Sequence, residues 1–89
     1  MTLGQKLRFF RTAQGKTQRE VACMLSMERS TYTYYELDKT LPSIQVVRRL
    51  AKMHGVTVDF LTDETVTPFG AEEFLLLDAN RRSKREKSA

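Results

Sequence analysis

Eighty-nine residues, 40% of them hydrophobic, suffice for one small core and leave no room for a large catalytic cleft. No run nears the roughly 18 apolar residues that cross a bilayer, no signal-peptide pattern opens the chain, and Cys23 has no second cysteine to pair with, so a cytoplasmic location is expected and a membrane partner is not. The net charge of +4 is uneven: residues 1–35 hold six bases against two acids, residues 36–80 four against eight, and residues 81–89 five against one, so a polyanion would favour the two ends.

Helical periodicity runs through the chain, and no stretch sustains a period-two alternation of Val, Ile and Thr, so the fold class is read as all-α. Thr2 with Gln5 matches a capping box, Leu3, Leu7, Phe10 and Ala13 form an apolar stripe, and Gly15 supplies a stop, which predicts helix one over residues 3–14. Thr17 with Glu20 repeats the capping box ahead of Val21, Ala22 and Leu25, so helix two is expected over 18–25, before a turn near Ser26. Helix three, over 29–36, has to end before Pro42. Ser43 is placed to cap helix four over 44–54, whose Val46, Val47, Leu50 and Met53 recur at helical spacing up to Gly55. Thr57 caps a last short helix over 58–62 that brings Val58 and Leu61 onto the core. Residues 1–63 thus read as a compact five-helix bundle. Residues 64–89 read as a linker, a sixth helix that Thr67-Pro68 would start over 68–82, and a frayed basic end over 83–89.

Helix two, a three-residue turn and helix three make the arrangement in which a second helix enters the major groove of double-stranded DNA while the first crosses the backbone. At 100° per residue, Arg29, Thr33, Ser30 and Tyr34 fall within an arc of roughly 140°, whereas Tyr32 and Tyr35 fall on the opposite side with the core. One face of helix three is polar and ready for contact; the other can meet Val21, Ala22, Leu25 and Met27.

Residues 2–62 resemble the Cro/repressor-type helix-turn-helix family, also called the XRE family. The resemblance is carried by TQREVA at 17–22, by Glu36 closing helix three, by the Pro42-Ser43 pair and by GVTVDFL at 55–61. It implies a lambda-repressor-like DNA-binding domain that regulates transcription, typically as a repressor, by binding a palindromic operator as a homodimer. By position, Arg29, Ser30, Thr33 and Tyr34 occupy the family's base-facing places, with Glu28 just ahead of them. Gln18 resembles the phosphate anchor, with Thr17 and Arg19 beside it and Lys39 in the following loop as further phosphate contacts. Arg11 and Glu36 look like the family's partly buried structural ion pair. An arginine can pair bidentately with guanine O6 and N7, and the methyl of Thr33 can touch a thymine methyl. Ser26 stands where the family has glycine, Tyr32 where it has a small β-branched residue, and Leu37-Asp38 where it has an Asn-Gly-like pair. The last change sets the Asp38 carboxylate against the phosphates, and Glu28 raises the same repulsion unless it accepts from a cytosine amino group.

Neither a cofactor, a metal nor an enzyme activity is expected. His54 has no companion at ligand spacing and reads as the end of helix four. Cys23 has no histidine partner in pattern, and the adjacent Glu72 and Glu73 diverge on a helix. Lys6, Arg8 and Lys16 read as solvated charges. Phe69, Phe74, Leu75, Leu76 and Leu77 are too apolar for a free linker, so they are expected to pack on the domain or, preferably, across a homodimer interface. The alternative is an antitoxin or interaction module in which residues 65–82 cover a partner protein.

Overall fold

The computed structural model describes residues 1–77. Five helices follow in chain order: α1 (Leu3–Ala13), α2 (Gln18–Met24), α3 (Arg29–Glu36), α4 (Ile44–His54) and α5 (Val58–Thr62). Residues 71–77 are helical as well, and among the described residues there is no strand. The all-α reading and all five predicted helices hold, with α1 and α2 one residue shorter than expected because Gln14 and Leu25 serve as their C-caps.

The starts of four helices follow from hydroxyl side chains. Thr2, Thr17, Ser43 and Thr57 each accept a hydrogen bond from the amide three residues on, which satisfies one of the donors a helix start leaves open. At Thr2 and Thr17 the capping box closes reciprocally through Gln5 and Glu20. Of α1 to α5, α3 alone begins without a side-chain cap, since Glu28 makes none. The core that these helices enclose is Leu7, Val21, Ala22, Leu25, Tyr32, Val47, Leu50, Ala51 and Leu61, all buried. Burying a side chain the size of Leu7, Leu50 or Leu61 contributes roughly 1.5–3 kcal/mol each.

Lys6 overturns its reading as a solvated charge. Its side chain is buried, and its Nζ donates to the carbonyls of Phe60, at 2.6 Å, and of Asp63 while lying over the Phe60 ring. Burial pushes its pKa down, against the opposing pull of Asp63 and Glu64. The ammonium thus fastens α1 to the C-terminal end of α5, where helix carbonyls lack partners and a cation is favoured.

The sixth helix begins at 71 rather than 68. Gly70 takes a φ of +84° in a turn whose closing bond runs from the Ala71 amide to the Pro68 carbonyl, 3.1 Å, and this breaks the helix that Pro68 would have started. Ala71 is buried, Phe74 meets the edge of Phe9 at a ring separation of 5.5 Å, and Arg8 lies over Phe74. This segment therefore packs against α1 of its own domain, while Phe69, Leu76 and Leu77 stay exposed. The continuation expected over 78–82 and the basic end lie outside the described residues. Among the described residues, no helix is long and apolar enough to cross a membrane, and no cluster of three or more His, Cys, Asp or Glu could hold a metal ion.

His54, the last residue of α4, is buried, stacks on Phe10 with ring centroids 5.4 Å apart, and meets Gln14 Nε2 through Nδ1 at 3.3 Å. Its Nε2 is buried with no hydrogen-bond partner among the described residues. Burial lowers its pKa below the ordinary 6.5; Glu36 opposes that shift and Lys16 reinforces it. Below pH 6.5 the unfolded chain takes up a proton that native His54 resists, so stability is full above that value and declines as the pH falls beneath it. Urea midpoints measured at about pH 7.5 and 5.5 should fall on acidification, and His54→Gln should flatten the difference. Equal pH dependence in both proteins would contradict the assignment.

Candidate nucleic-acid interface

Helix α2 ends in a Schellman turn. The Met27 amide reaches back to the Ala22 carbonyl at 3.0 Å and the Ser26 amide to the Cys23 carbonyl at 3.0 Å, while Ser26 sits in the left-handed region at φ 55°. Glycine holds such a position without cost; serine does not. The turn delivers α3 with Tyr32 pointing inward, fully buried, and Tyr35 half-buried against the same core. Glu28, Arg29, Ser30 and Tyr34 are exposed, and Thr33 is half-buried between them and α2.

Beneath that polar face lies a buried ionic centre. Arg11 donates to both carboxylate oxygens of Glu36, Nε to Oε2 at 2.6 Å and Nη2 to Oε1 at 3.1 Å, and also to the Lys16 carbonyl at 2.9 Å. Burial alone would lower the Arg11 pKa, but the hydrogen bonds and charge of Glu36 outweigh it and raise it. The hydroxyl of Tyr32 is buried without a hydrogen-bond partner among the described residues, and burial, with the Glu36 charge added, raises its pKa. Gln18 then bridges outward: its Nε2 donates to Glu36 Oε1 at 3.1 Å, and its Oε1 accepts from Thr33 Oγ1 at 3.0 Å. Since Thr33 Oγ1 is also 2.9 Å from the Arg29 carbonyl, its hydroxyl is taken up internally and its methyl is the group left to offer.

At the exit from α3, the carboxylate of Asp38 finds partners within the protein. This residue adopts φ 58°, and its carboxylate turns to the start of α1, accepting from Thr2 Oγ1 at 2.6 Å and from the Gly4 amide at 2.9 Å. Its charge is thus spent at a helix N-terminus, where a carboxylate is favoured. The approach is so close that a Cβ on Gly4 would stand 2.4 Å from the Glu36 carbonyl oxygen and 2.7 Å from that of Tyr35.

A family model described as a helix-turn-helix domain matches residues 2–63. The chain belongs to the XRE-type helix-turn-helix family. Among the relatives of this XRE-type protein is the SPbeta prophage-derived uncharacterized HTH-type transcriptional regulator YonR of Bacillus subtilis (strain 168), 33% identical over 81% of this chain and 67% of the relative. Another is the cryptic phage CTXphi transcriptional repressor RstR of Vibrio cholerae, 32% identical over 70% of this chain and 56% of that protein. The chain therefore spans between about half and two thirds of the relatives it matches.

On this XRE-type scaffold, Arg29, Ser30, Thr33 and Tyr34 share one side of α3, and Glu28 precedes them as its N-cap residue. Thr17, Gln18 and Arg19 gather at the start of α2, with Thr17 Oγ1 occupied by the Glu20 amide at 3.1 Å. Lys39 lies apart from these, beyond α3, with Nζ over the Tyr34 ring at 5.6 Å. Two contacts are not legible in the sequence: the close approach of Gly4 to α3 and the reach of Arg49 from α4 to the carbonyls of Leu25, at 3.2 Å, and Met24, at 3.3 Å. A glycine inside a helical pattern marks a close backbone approach but not the backbone it approaches. Arg49 shows no such mark, because nothing local tells an arginine that reaches another helix from one that faces water.

Proposed function

We propose that this protein is a sequence-specific transcription regulator that lays α3 in the major groove of double-stranded DNA, with residues 1–63 as the DNA-binding domain. The observation that carries the proposal is the two-sidedness of α3: its inner face is pinned by Tyr32 and Glu36, and its outer face presents Arg29, Ser30 and Tyr34 with no role in the core. In this reading Arg29 donates to a guanine edge, the Thr33 methyl meets a thymine methyl, and Glu28 accepts from a cytosine amino group. Gln18 Nε2 keeps one proton for a phosphate after serving Glu36. Thr17, Arg19 and Lys39 complete the backbone contacts, which position the helix but do not read sequence.

Two copies would bind a palindrome with half-sites roughly 34 Å apart, occluding or recruiting polymerase by position. The exposed Phe69, Leu76 and Leu77 support a homodimer interface in the C-terminal segment. The same residues also support a second reading, an antitoxin-like role in which residues 65–82 cover a partner protein. A neighbouring gene product that co-purifies with the intact chain, and is lost from Leu76→Glu/Leu77→Glu, would favour that reading.

The test is duplex selection followed by mutation. Arg29→Ala should relax preference at one base pair of the selected site, at a cost of about 1–3 kcal/mol. Gln18→Ala should weaken binding to all duplexes alike and leave the salt slope unchanged, because a neutral amide releases no counterion. An Arg29→Ala protein with unchanged base preference would remove Arg29 from the groove.

A further inference from the structure

A helix leaves its last carbonyls without partners, and the C-terminal end of α2 accounts for its own in two ways. The Ala22 and Cys23 carbonyls are taken by the Schellman turn. The Met24 and Leu25 carbonyls are taken by a residue of a different helix: Arg49 of α4 donates Nη1 to Leu25 O at 3.2 Å and Nη2 to Met24 O at 3.3 Å. No basic residue lies in the last turn of α2 itself, so Arg49 also supplies the cation that the negative end of that helix favours. The residue after the two carbonyls is Ser26, a non-glycine held at φ 55°.

We propose that Arg49 is a positioning residue for DNA recognition: by capping α2 from α4 it holds the strained Ser26 turn in the one geometry that presents the outer face of α3. The inference rests on the DNA-binding reading. Arg49 touches no base and no phosphate. It acts through the angle between α2 and α3, which every base contact shares. Glycine at position 26 adopts the same φ without strain, so the cap and the turn are coupled: Ser26→Gly should compensate for loss of Arg49, whereas it would do nothing for an arginine that served as a phosphate contact.

The experiment compares wild type, Arg49→Gln, Arg49→Gln/Ser26→Gly and Ser26→Gly, all at a temperature where each is folded by circular dichroism. The ratio of affinities for the selected duplex and a scrambled one should fall about three- to tenfold in Arg49→Gln, with the salt slope unchanged, and return to within about twofold in the double variant. Amide exchange at Ser26 and Met27 in the DNA-free protein should quicken by a similar factor in Arg49→Gln, and exchange at Met27 should recover in the double variant. An unchanged affinity ratio overturns the proposal, as does equal weakening on both duplexes with a slope shallower by about one. If wild type selects no motif, the DNA reading fails by itself, and unchanged exchange at Ser26 and Met27 is then the result that overturns the cap.

Discussion

Glu36→Ala is expected to cost about 3–5 kcal/mol, because it leaves the Arg11 guanidinium buried without its carboxylate. The Arg11 side chain is 12% exposed and the Glu36 side chain 2%, so water is a poor substitute for the lost partner. Gln18 Nε2 loses its acceptor in the same step. Against a total stability of about 5–15 kcal/mol, and at about 4–8 °C per kcal/mol for a domain of this size, the midpoint of thermal unfolding should drop by more than about 12 °C. The cost belongs to the orphaned charge and not to the ion pair as such. Replacing both partners with apolar residues, Arg11→Met with Glu36→Leu, should therefore be milder than Glu36→Ala alone. A double variant worse than the single one would contradict that attribution.

Gly4→Ala is the second large effect, and its sign is opposite to what helix propensity alone predicts. In an ordinary helix interior the change would gain up to about 1 kcal/mol. Here the new Cβ meets two backbone oxygens of α3, Glu36 O at 2.4 Å and Tyr35 O at 2.7 Å, and Asp38 Oδ1 at 2.8 Å. Backbone cannot swing aside as a side chain can, so α1 has to back away from α3 and loosen the Thr2 and Gly4 contacts to Asp38. A net loss towards the upper end of about 1–3 kcal/mol is expected in chemical unfolding. Gly4→Ala that stabilises the protein would show that α1 and α3 do not meet as described.

The helices and their starts were legible because they are local: a hydroxyl at Thr2, Thr17, Ser43 or Thr57 and an apolar stripe behind it specify a beginning and a buried face within a few residues. What escaped is long-range. Lys6 reads as a surface charge because nothing near it shows that carbonyls of Phe60 and Asp63 wait at the far end of α5. Asp38 reads as a charge facing phosphates because its partners, Thr2 and Gly4, lie more than thirty residues earlier. The sixth helix starts three residues later than Pro68 suggests because Gly70, between Pro68 and Ala71, turns the chain at a φ of +84°. At the interface, the outward face of α3 follows from a helical wheel, but the chain from Glu36 through Gln18 to Thr33 does not, since it depends on how two helices cross.

The central claim is that α3 reads DNA, and selection of bound duplexes from a random pool tests it most directly. At moderate salt the full chain should enrich one two-fold motif whose half-sites are about one helical turn apart, and binding to it should weaken steeply as salt rises. A pool that emerges without any enriched sequence, while the protein remains folded, would contradict the claim.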